Sequence, residues 1–140
     1  PGSPRPPALR RAAELALADA GIAPDAVDVV FADAAGVPEL DRVEAEAISG
    51  LFGPRGVPVT APKAMFGRLY AGGGPTDLVA ALLAIRDGVI PPTTGTTQVP
   101  ERYALDLVLD QPRPAPVSTA LVLARGRWGF NSAVVVRAAG

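Results

Sequence analysis

Three charged residues of this sequence are candidates for a chemical role: Asp33, Lys63 and Arg68. Asp33 follows the apolar run VVFA, and reacting groups in α/β folds gather at the carboxyl ends of strands, so Asp33 is a candidate general base. Lys63 lies in the segment APKAMFGR, which ends at Arg68. A lone aspartate here is more often a turn or capping residue, and a lone lysine is more often paired or solvated than nucleophilic. Arg68 keeps its charge at any working pH and therefore cannot act as a general base.

Two residue types that carry much of enzyme chemistry are absent, because the 140 residues contain no cysteine and no histidine. Without cysteine these residues can form no disulfide, no thiolate nucleophile and no cysteine metal site. Without histidine they lack the commonest general base and metal ligand. Any reaction performed by these residues alone would use carboxylates, lysine, tyrosine or backbone donors, and the sequence predicts no metal site.

The composition is that of a folded domain, with 49% hydrophobic and 19% charged residues. A net charge of −1 provides no electrostatic footprint for nucleic acid. No apolar run reaches the length that crosses a bilayer. We therefore expect a cytoplasmic protein that has neither nucleic acid nor a membrane as its partner.

A glycine cluster, AGGGPTD at 71–77, begins a predicted helix and raises the question of phosphate binding. The cluster matches neither GxxxxGK[ST] nor the G-x-G-x-x-G fingerprint after a strand. Close approach of a buried helix to a neighbouring backbone explains the glycines better. No nucleotide cofactor is therefore predicted, and an anion-binding module is kept only as an alternative.

Hydrophobic periodicity predicts an α/β chain in which short apolar strands alternate with helices. The segment PGSPRPP, residues 1–7, is predicted to be a linker or ragged start, followed by one domain at 8–140.

Asp41 with Glu44 three residues later resembles a capping box for the second helix. The third helix is apolar almost all round and is expected to lie inside a larger body. The predicted helices span about 8–20, 40–52 and 76–86, and the predicted strands 27–32, 57–60, 105–109, 119–124 and 133–137. The last two strands should form an antiparallel hairpin.

Three segments, in order, resemble ketosynthases: VVFADAAGVPELDRVEAEA, VPVTAPKAMFGRLYAGGGPTDLVAALLAIRDGVIPPT and RGRWGFNSAVVV. The first is similar to the segment with a His-Gly-Thr-Gly-Thr motif, the second to the run with a lysine and a Gly-His, and the third to the glycine-rich closing loop. The pattern most resembles the chain length factors, or ketosynthase-beta subunits, of aromatic type II polyketide synthases of the actinorhodin type. This resemblance implies the C-terminal part of a thiolase-like, layered αβαβα fold, with a mixed sheet that ends in an antiparallel hairpin.

The resemblance places charged residues at the family's catalytic histidines. The first histidine falls on Asp33 and the second on Arg68, while Lys63 matches the family lysine. The two pantetheine-binding threonines fall on Ala35 and Val37. The closing loop matches at Gly129 and Asn131, and its phenylalanine positions fall on Arg125 and Arg127. These departures imply a degenerate site with no catalytic residue.

Two charges in one pocket would be costly unpaired, so Asp33 and Arg68 are expected to form a partly buried ion pair with Lys63 nearby. The alternative is that both side chains point into solvent.

The resemblance implies a non-condensing subunit that pairs with an active ketosynthase-alpha and sets polyketide chain length in antibiotic-type biosynthesis. The heterodimer would meet an acyl carrier protein, and no cofactor is expected. One alternative is a subunit that assists malonyl decarboxylation, with Lys63 or Asp33 contributing. A second alternative is an unrelated α/β anion-binding module.

The resemblance covers only the later part of the family's second half. The family's strand order would put two absent strands between the strand at 27–32 and the last two strands. We therefore expect a gap and unpaired edges in the sheet, and the remainder of the same subunit as a further partner.

Overall fold

The computed structural model describes residues 7–140, so most of the predicted Pro-rich start at 1–7 lies outside the described residues. Three helices alternate with seven strands along the chain, joined by short 3-10 turns. The helices are α1 (Ala8–Asp19), α2 (Pro38–Phe52) and α3 (Gly73–Asp87). The strands are β1 (Val29–Phe31), β2 (Pro58–Thr60), β3 (Val89–Ile90), β4 (Asp106–Leu107), β5 (Arg113–Pro114), β6 (Thr119–Arg125) and β7 (Asn131–Arg137).

Five strands form a mixed sheet in the order β4-β2-β1-β6-β7. β1, β2, β4 and β6 are parallel, and β7 returns antiparallel to β6 as the predicted hairpin. Val30 of β1 lies beside Val59 on one side and Leu121 on the other. All three residues of β1 are buried, as expected for the central strand of a parallel sheet. β3 and β5 pair separately as a two-stranded antiparallel sheet.

The expected gap in the sheet is wrong. β1 pairs directly with β6, and a 2.9 Å backbone hydrogen bond from Asp28 to Thr119 extends this pairing before the start of β1. On its other side β1 pairs with β2, and Ala32 donates to the carbonyl of Thr60 at 2.9 Å. The central strand thus finds hydrogen-bonding partners on both sides within this chain, which satisfies the backbone groups that a gap would leave unpaired. The mixed sheet and the terminal hairpin are as predicted.

Two apolar cores lie on opposite faces of the sheet. On one face, α1 and α2 pack through residues such as Leu9, Leu17 and Ile48 against the side chains of β1, β2 and β6. On the other face, α3 packs Ala81 and Ala84 against the alternate side chains of β1 and β6. This alternation follows from the two-residue period of a strand. The described residues therefore form three layers, with the sheet in the middle.

α3 is covered on one face only within these residues. Ala81 and Ala84 are buried, whereas Val79 and Leu82 are 56% and 54% exposed. The prediction that this helix lies inside a larger body is thus unmet by the described residues alone. A single helix face this apolar and this open is typical of a surface that other protein covers.

The capping box predicted for α2 is wrong. The helix begins at Pro38, two residues earlier than predicted, and a proline fits the first helical position because its missing N–H would have no helical acceptor. Asp41 accepts a hydrogen bond from the backbone N–H of Gly36 at 3.2 Å. Glu44 reaches past the helix start to the backbone that follows β1. Both acids therefore hold the preceding loop rather than cap their own helix.

Candidate functional site

Asp33 lies two residues beyond the end of β1, with its carboxylate buried at the carboxyl edge of the sheet. Oδ2 lies 3.1 Å from Nη2 of Arg68 and 3.1 Å from Nε of Arg125, and Oδ1 accepts the backbone N–H of Arg125 at 3.0 Å. The expected ion pair between Asp33 and Arg68 is therefore present, and the alternative that both point into solvent is wrong.

Arg68 reaches this carboxylate from the segment between two 3-10 turns. Its side chain is 37% exposed, and Nη2 also donates to the backbone carbonyl of Arg125 at 2.9 Å. Because this one nitrogen contacts both the Asp33 carboxylate and the Arg125 carbonyl, Arg68 links the loop between the two 3-10 turns to the last residue of β6. The side chain is a fixed cation that cannot exchange a proton at neutral pH.

Arg125 is the residue of this site whose role the sequence did not reveal. It is only 10% exposed, and Nη2 donates to Oε2 of Glu44 at 3.1 Å while Nε donates to Asp33. Nη1 donates to the backbone carbonyl of Leu40 at 2.8 Å. One sequence feature could have indicated this role. An arginine is the last residue of a buried apolar strand, where a charged side chain needs a partner of opposite charge.

Glu44 completes a group that we call the Asp33 network: Asp33, Glu44, Arg68 and Arg125. Its two carboxylate oxygens accept the backbone N–H groups of Asp33 and Ala34 at 2.7 and 2.9 Å. Burial raises the pKa of Glu44 above its ordinary value, and the Arg125 guanidinium and the two N–H donors offset this only in part. With both acids ionised, the network holds two negative and two positive charges.

Lys63 does not join the Asp33 network. It is buried and its Nζ lies 2.6 Å from Oδ2 of Asp77, an acid on α3 that is 1% exposed. Among the described residues no donor meets that oxygen with good hydrogen-bond geometry, so the contact is chiefly an ion pair. Burial raises the pKa of Asp77, and Lys63 opposes this rise. Lys63 is nevertheless near the network, since both line one small pocket.

The remaining positions singled out in the sequence lie on the rim. Val37 is exposed and Ala35 is half-buried, and neither offers a hydroxyl. Asn131 donates through Nδ2 to the carbonyl of Gly129 at 2.8 Å and so closes the loop between β6 and β7. Arg127 on that loop is exposed.

Besides the small pocket shared with Lys63, two larger depressions adjoin the network. A groove of about 670 Å³ runs along the loop between β6 and β7, and Arg68, Arg125, Arg127 and Trp128 are among its walls. A cavity of about 490 Å³ lies on the other side of Glu44, between α2 and the segment that precedes β4. Glu44 thus lines the cavity, whereas Arg68 and Arg125 line the groove.

The glycine cluster does not make the close approach to a neighbouring backbone that was predicted for it. A side-chain carbon at Gly73 or Gly74 would meet nothing within 4 Å among the described residues. The close-approach interpretation is therefore wrong within residues 7–140. Thr76 donates its hydroxyl to the carbonyl of Gly72 at 2.8 Å, which steadies the start of α3.

Neither a metal cluster nor a membrane span is found in the part of the chain that the structure describes. Among residues 7–140 no three acidic, histidine or cysteine residues are grouped to hold a metal ion. None of the helices in this range combines the length and apolarity needed to cross a membrane.

The class that fold and site define is a thiolase-like ketosynthase fold with charged residues at its centre. The family profile for the C-terminal domain of beta-ketoacyl synthases matches residues 2–97. The chain therefore belongs to the beta-ketoacyl synthase family. This membership overturns the alternative of an unrelated anion-binding module.

The chain is similar to two polyketide proteins of Streptomyces. It is 71% identical over 136 residues to a Streptomyces violaceoruber protein whose name assigns it to the granaticin polyketide as a beta-ketoacyl synthase 2. It is 64% identical over 137 residues to the corresponding protein named for actinorhodin in Streptomyces coelicolor. The matches cover 97% and 98% of this chain but 33% and 34% of the relatives. The chain thus spans about a third of their length.

Solved structures give the same result. The ishigamide ketosynthase/chain length factor aligns with a TM-score of 0.91 at 27% identity, over 94% of this chain and 33% of that one. A type II ketosynthase complex with its acyl carrier protein, bound to a hexaketide, aligns with a TM-score of 0.88 at 29% identity, again over 94% and 33%. These similarities confirm the resemblance inferred from the three sequence segments.

Proposed function

We propose that this chain is the C-terminal part of a ketosynthase-beta subunit, or chain length factor. Such a subunit pairs with an active ketosynthase-alpha, sets the number of units joined in a polyketide, and performs no condensation itself. The observation that carries the proposal is the ion pair between the buried Asp33 and the partly exposed Arg68, at the two positions where the resemblance expects catalytic histidines.

The chemistry of the pair opposes condensation. A Claisen condensation needs a thiolate to carry the growing chain and donors that stabilise the oxyanion that forms as CO2 leaves. The Asp33 carboxylate accepts hydrogen bonds and repels an oxyanion. Arg68 can stabilise an anion but cannot shuttle a proton, and its Nη2 is already engaged by Asp33 and by the Arg125 carbonyl.

The proposed partners follow from the share of its relatives that this chain spans and from what the similar structures contain. Because the chain spans about a third of its relatives, the nearest partner is the remainder of the same subunit. The ketosynthase-alpha partner is supported by the similar solved structure of the ishigamide ketosynthase/chain length factor. The acyl carrier protein as a partner is supported by the similar solved structure of a ketosynthase in complex with its acyl carrier protein. The carrier protein would contact this subunit through the heterodimer.

The test uses the complete subunit, purified alone and together with its companion, in an assay of malonyl condensation on an acyl carrier protein. The subunit alone is expected to form no carbon–carbon bond, and the pair is expected to form polyketide. A pair whose companion lacks its nucleophilic cysteine is the control and should be inactive. Condensation by the isolated subunit would overturn the proposal.

The decarboxylation alternative would require Lys63 or Asp33 to reach a malonyl group. Lys63 is paired with Asp77, and Asp33 accepts hydrogen bonds from two arginines, so neither side chain is available for that task. CO2 release by assembled pairs carrying Lys63→Ala or Asp33→Ala is therefore expected to match the wild type per assembled heterodimer. Loss of CO2 release with assembly intact would favour the alternative.

A further inference from the structure

The loop 126–130, which joins β6 to β7, holds an unusual backbone conformation. Trp128 has φ 66° and ψ 23°, in the left-handed region, and its side chain is 92% exposed. A bulky residue adopts this conformation at a cost, and it persists only where the surrounding structure imposes it. Since the exposed indole gains little from burial here, the restraint must come from the ends of the loop.

At the far end of the loop the restraint is local. Asn131 donates to the carbonyl of Gly129 at 2.8 Å, and the backbone N–H of Gly126 donates to the carbonyl of Phe130 at 2.9 Å. Both contacts lie within the hairpin and would move with it. They shape the loop but do not fix it to the rest of the protein.

At the near end the restraint comes from one residue, through both its side chain and its backbone. Arg125, the last residue of β6, donates to Asp33 after β1 and to Glu44 and the carbonyl of Leu40 on α2. Its backbone N–H also donates to Asp33, and its carbonyl accepts from Arg68. Every polar group of Arg125 is thus bonded to an element outside the hairpin.

We propose that Arg125 is a positioning residue that fixes loop 126–130, the wall of the groove, to the end of β1 and the first turns of α2, with Asp33 as its anchor. Asp33 performs a task that a neutral imidazole could not. A carboxylate accepts from one backbone N–H and two guanidiniums together, whereas a neutral imidazole has a single acceptor nitrogen. The inference concerns the loop and does not depend on the proposed function.

The test is hydrogen–deuterium exchange of the peptide that contains loop 126–130, in the complete subunit paired with its companion. Arg125→Gln is expected to speed exchange at Gly126 roughly tenfold, because the anchored end of the loop opens locally. Arg127→Gln removes the same charge from an exposed position on the same loop and is expected to leave the rate unchanged. Equal rates in the wild type and Arg125→Gln would overturn the proposal.

Arg125→Lys separates positioning from charge compensation. Arg125→Gln leaves two buried carboxylates with less positive charge beside them and should lower the melting temperature. A lysine keeps that charge, so the melting temperature of Arg125→Lys should lie closer to that of the wild type. A single ammonium cannot reach Asp33, Glu44 and the Leu40 carbonyl together, so loop exchange should stay fast. If Arg125→Lys restores slow exchange as well, Arg125 is only a buried countercharge and the proposal fails.

Asp33→Asn keeps the experiment decisive if Arg125→Gln does not fold. Loss of the anchor's charge should speed loop exchange in the same direction but by a smaller factor. Where both single variants fold, Asp33→Asn combined with Arg125→Gln should exchange no faster than Arg125→Gln alone, since Arg125 acts through Asp33. Rates that multiply would show independent action and overturn the proposal.

Discussion

The two clusters of charged residues at the carboxyl edge of the sheet lie close together but differ in how many partners each charge has. The Asp33 network joins four side chains from separate parts of the chain, and Asp33 alone contacts two guanidiniums. The Lys63–Asp77 pair joins one ammonium to one carboxylate, more deeply buried, with one oxygen of Asp77 lacking a well-aligned donor among the described residues. The difference predicts that shared partners make a buried charge tolerant of losing one contact, whereas an isolated pair depends on both members.

The largest effect is expected from Lys63→Met, which leaves Asp77 buried without its countercharge. We expect the free energy of unfolding at pH 7 to fall by about 3–5 kcal/mol, measured by chemical denaturation of the complete subunit. Arg11→Met is the control, since Arg11 is exposed and contacts Glu14 only at 3.8 Å; it should cost less than about 0.5 kcal/mol. A loss below about 1 kcal/mol for Lys63→Met would contradict the view that the pair depends on both members.

The second prediction removes both members of the pair. Lys63→Met combined with Asp77→Leu should recover most of the lost stability and end within about 2 kcal/mol of the wild type, because no buried charge is left unpaired. The same denaturation experiment measures it. A double variant as unstable as the sum of its two single variants would mean that the two side chains act separately.

A smaller effect is expected in the network. Arg68→Gln removes a side chain that is 37% exposed, and Asp33 keeps its contacts with Arg125. Because solvent screens the pair and a partner remains, we expect a loss of about 0–1 kcal/mol. A loss comparable to that of Lys63→Met would show that the network has no redundancy.

The subtlest effect is a dependence on pH. Burial raises the pKa of Glu44 in the folded state, above the 4.5 that it has when unfolded. As pH rises past 4.5, the unfolded chain loses this proton first, so folding stability attributable to Glu44 declines until the folded carboxyl ionises as well. The stability of the wild type relative to Glu44→Gln should therefore fall as pH rises from 4 toward neutrality. A constant or rising difference across pH-dependent denaturation curves would be inconsistent with a raised pKa.

Much of the fold was predictable because it rests on local patterns. Helix α1 ends within a residue of its predicted limit, since its apolar stripe and Gly21 mark the boundaries. The hairpin of β6 and β7 was predicted from two apolar runs around a turn. The continuous pairing of β1 with β6 was not, because about 90 residues separate the partners and single-sequence patterns carry no register between distant strands.

The central ion pair of the site was predictable from the sequence, whereas the residues that hold the pair in place were not. The Asp33–Arg68 pair was expected because two charges that share a pocket must compensate each other. Glu44 was misread as a helix cap, because its spacing from Asp41 imitates a capping box while its side chain reaches the loop behind it. Asp77 is the one charged residue of α3 before its last turn, and this isolation is the signal that could have identified the partner of Lys63.

The balance of charge within the Asp33 network governs how far its field extends. Two carboxylates and two guanidiniums that compensate each other within hydrogen-bonding distance leave little net potential beyond the protein surface, whatever their individual strength. Raising ionic strength from 0.01 to 1 M shortens the Debye length from about 30 to about 3 Å, yet it should scarcely alter these close contacts. A charged molecule approaching the groove would therefore sense the exposed guanidinium of Arg127 more than the mutually compensated charges of the Asp33 network.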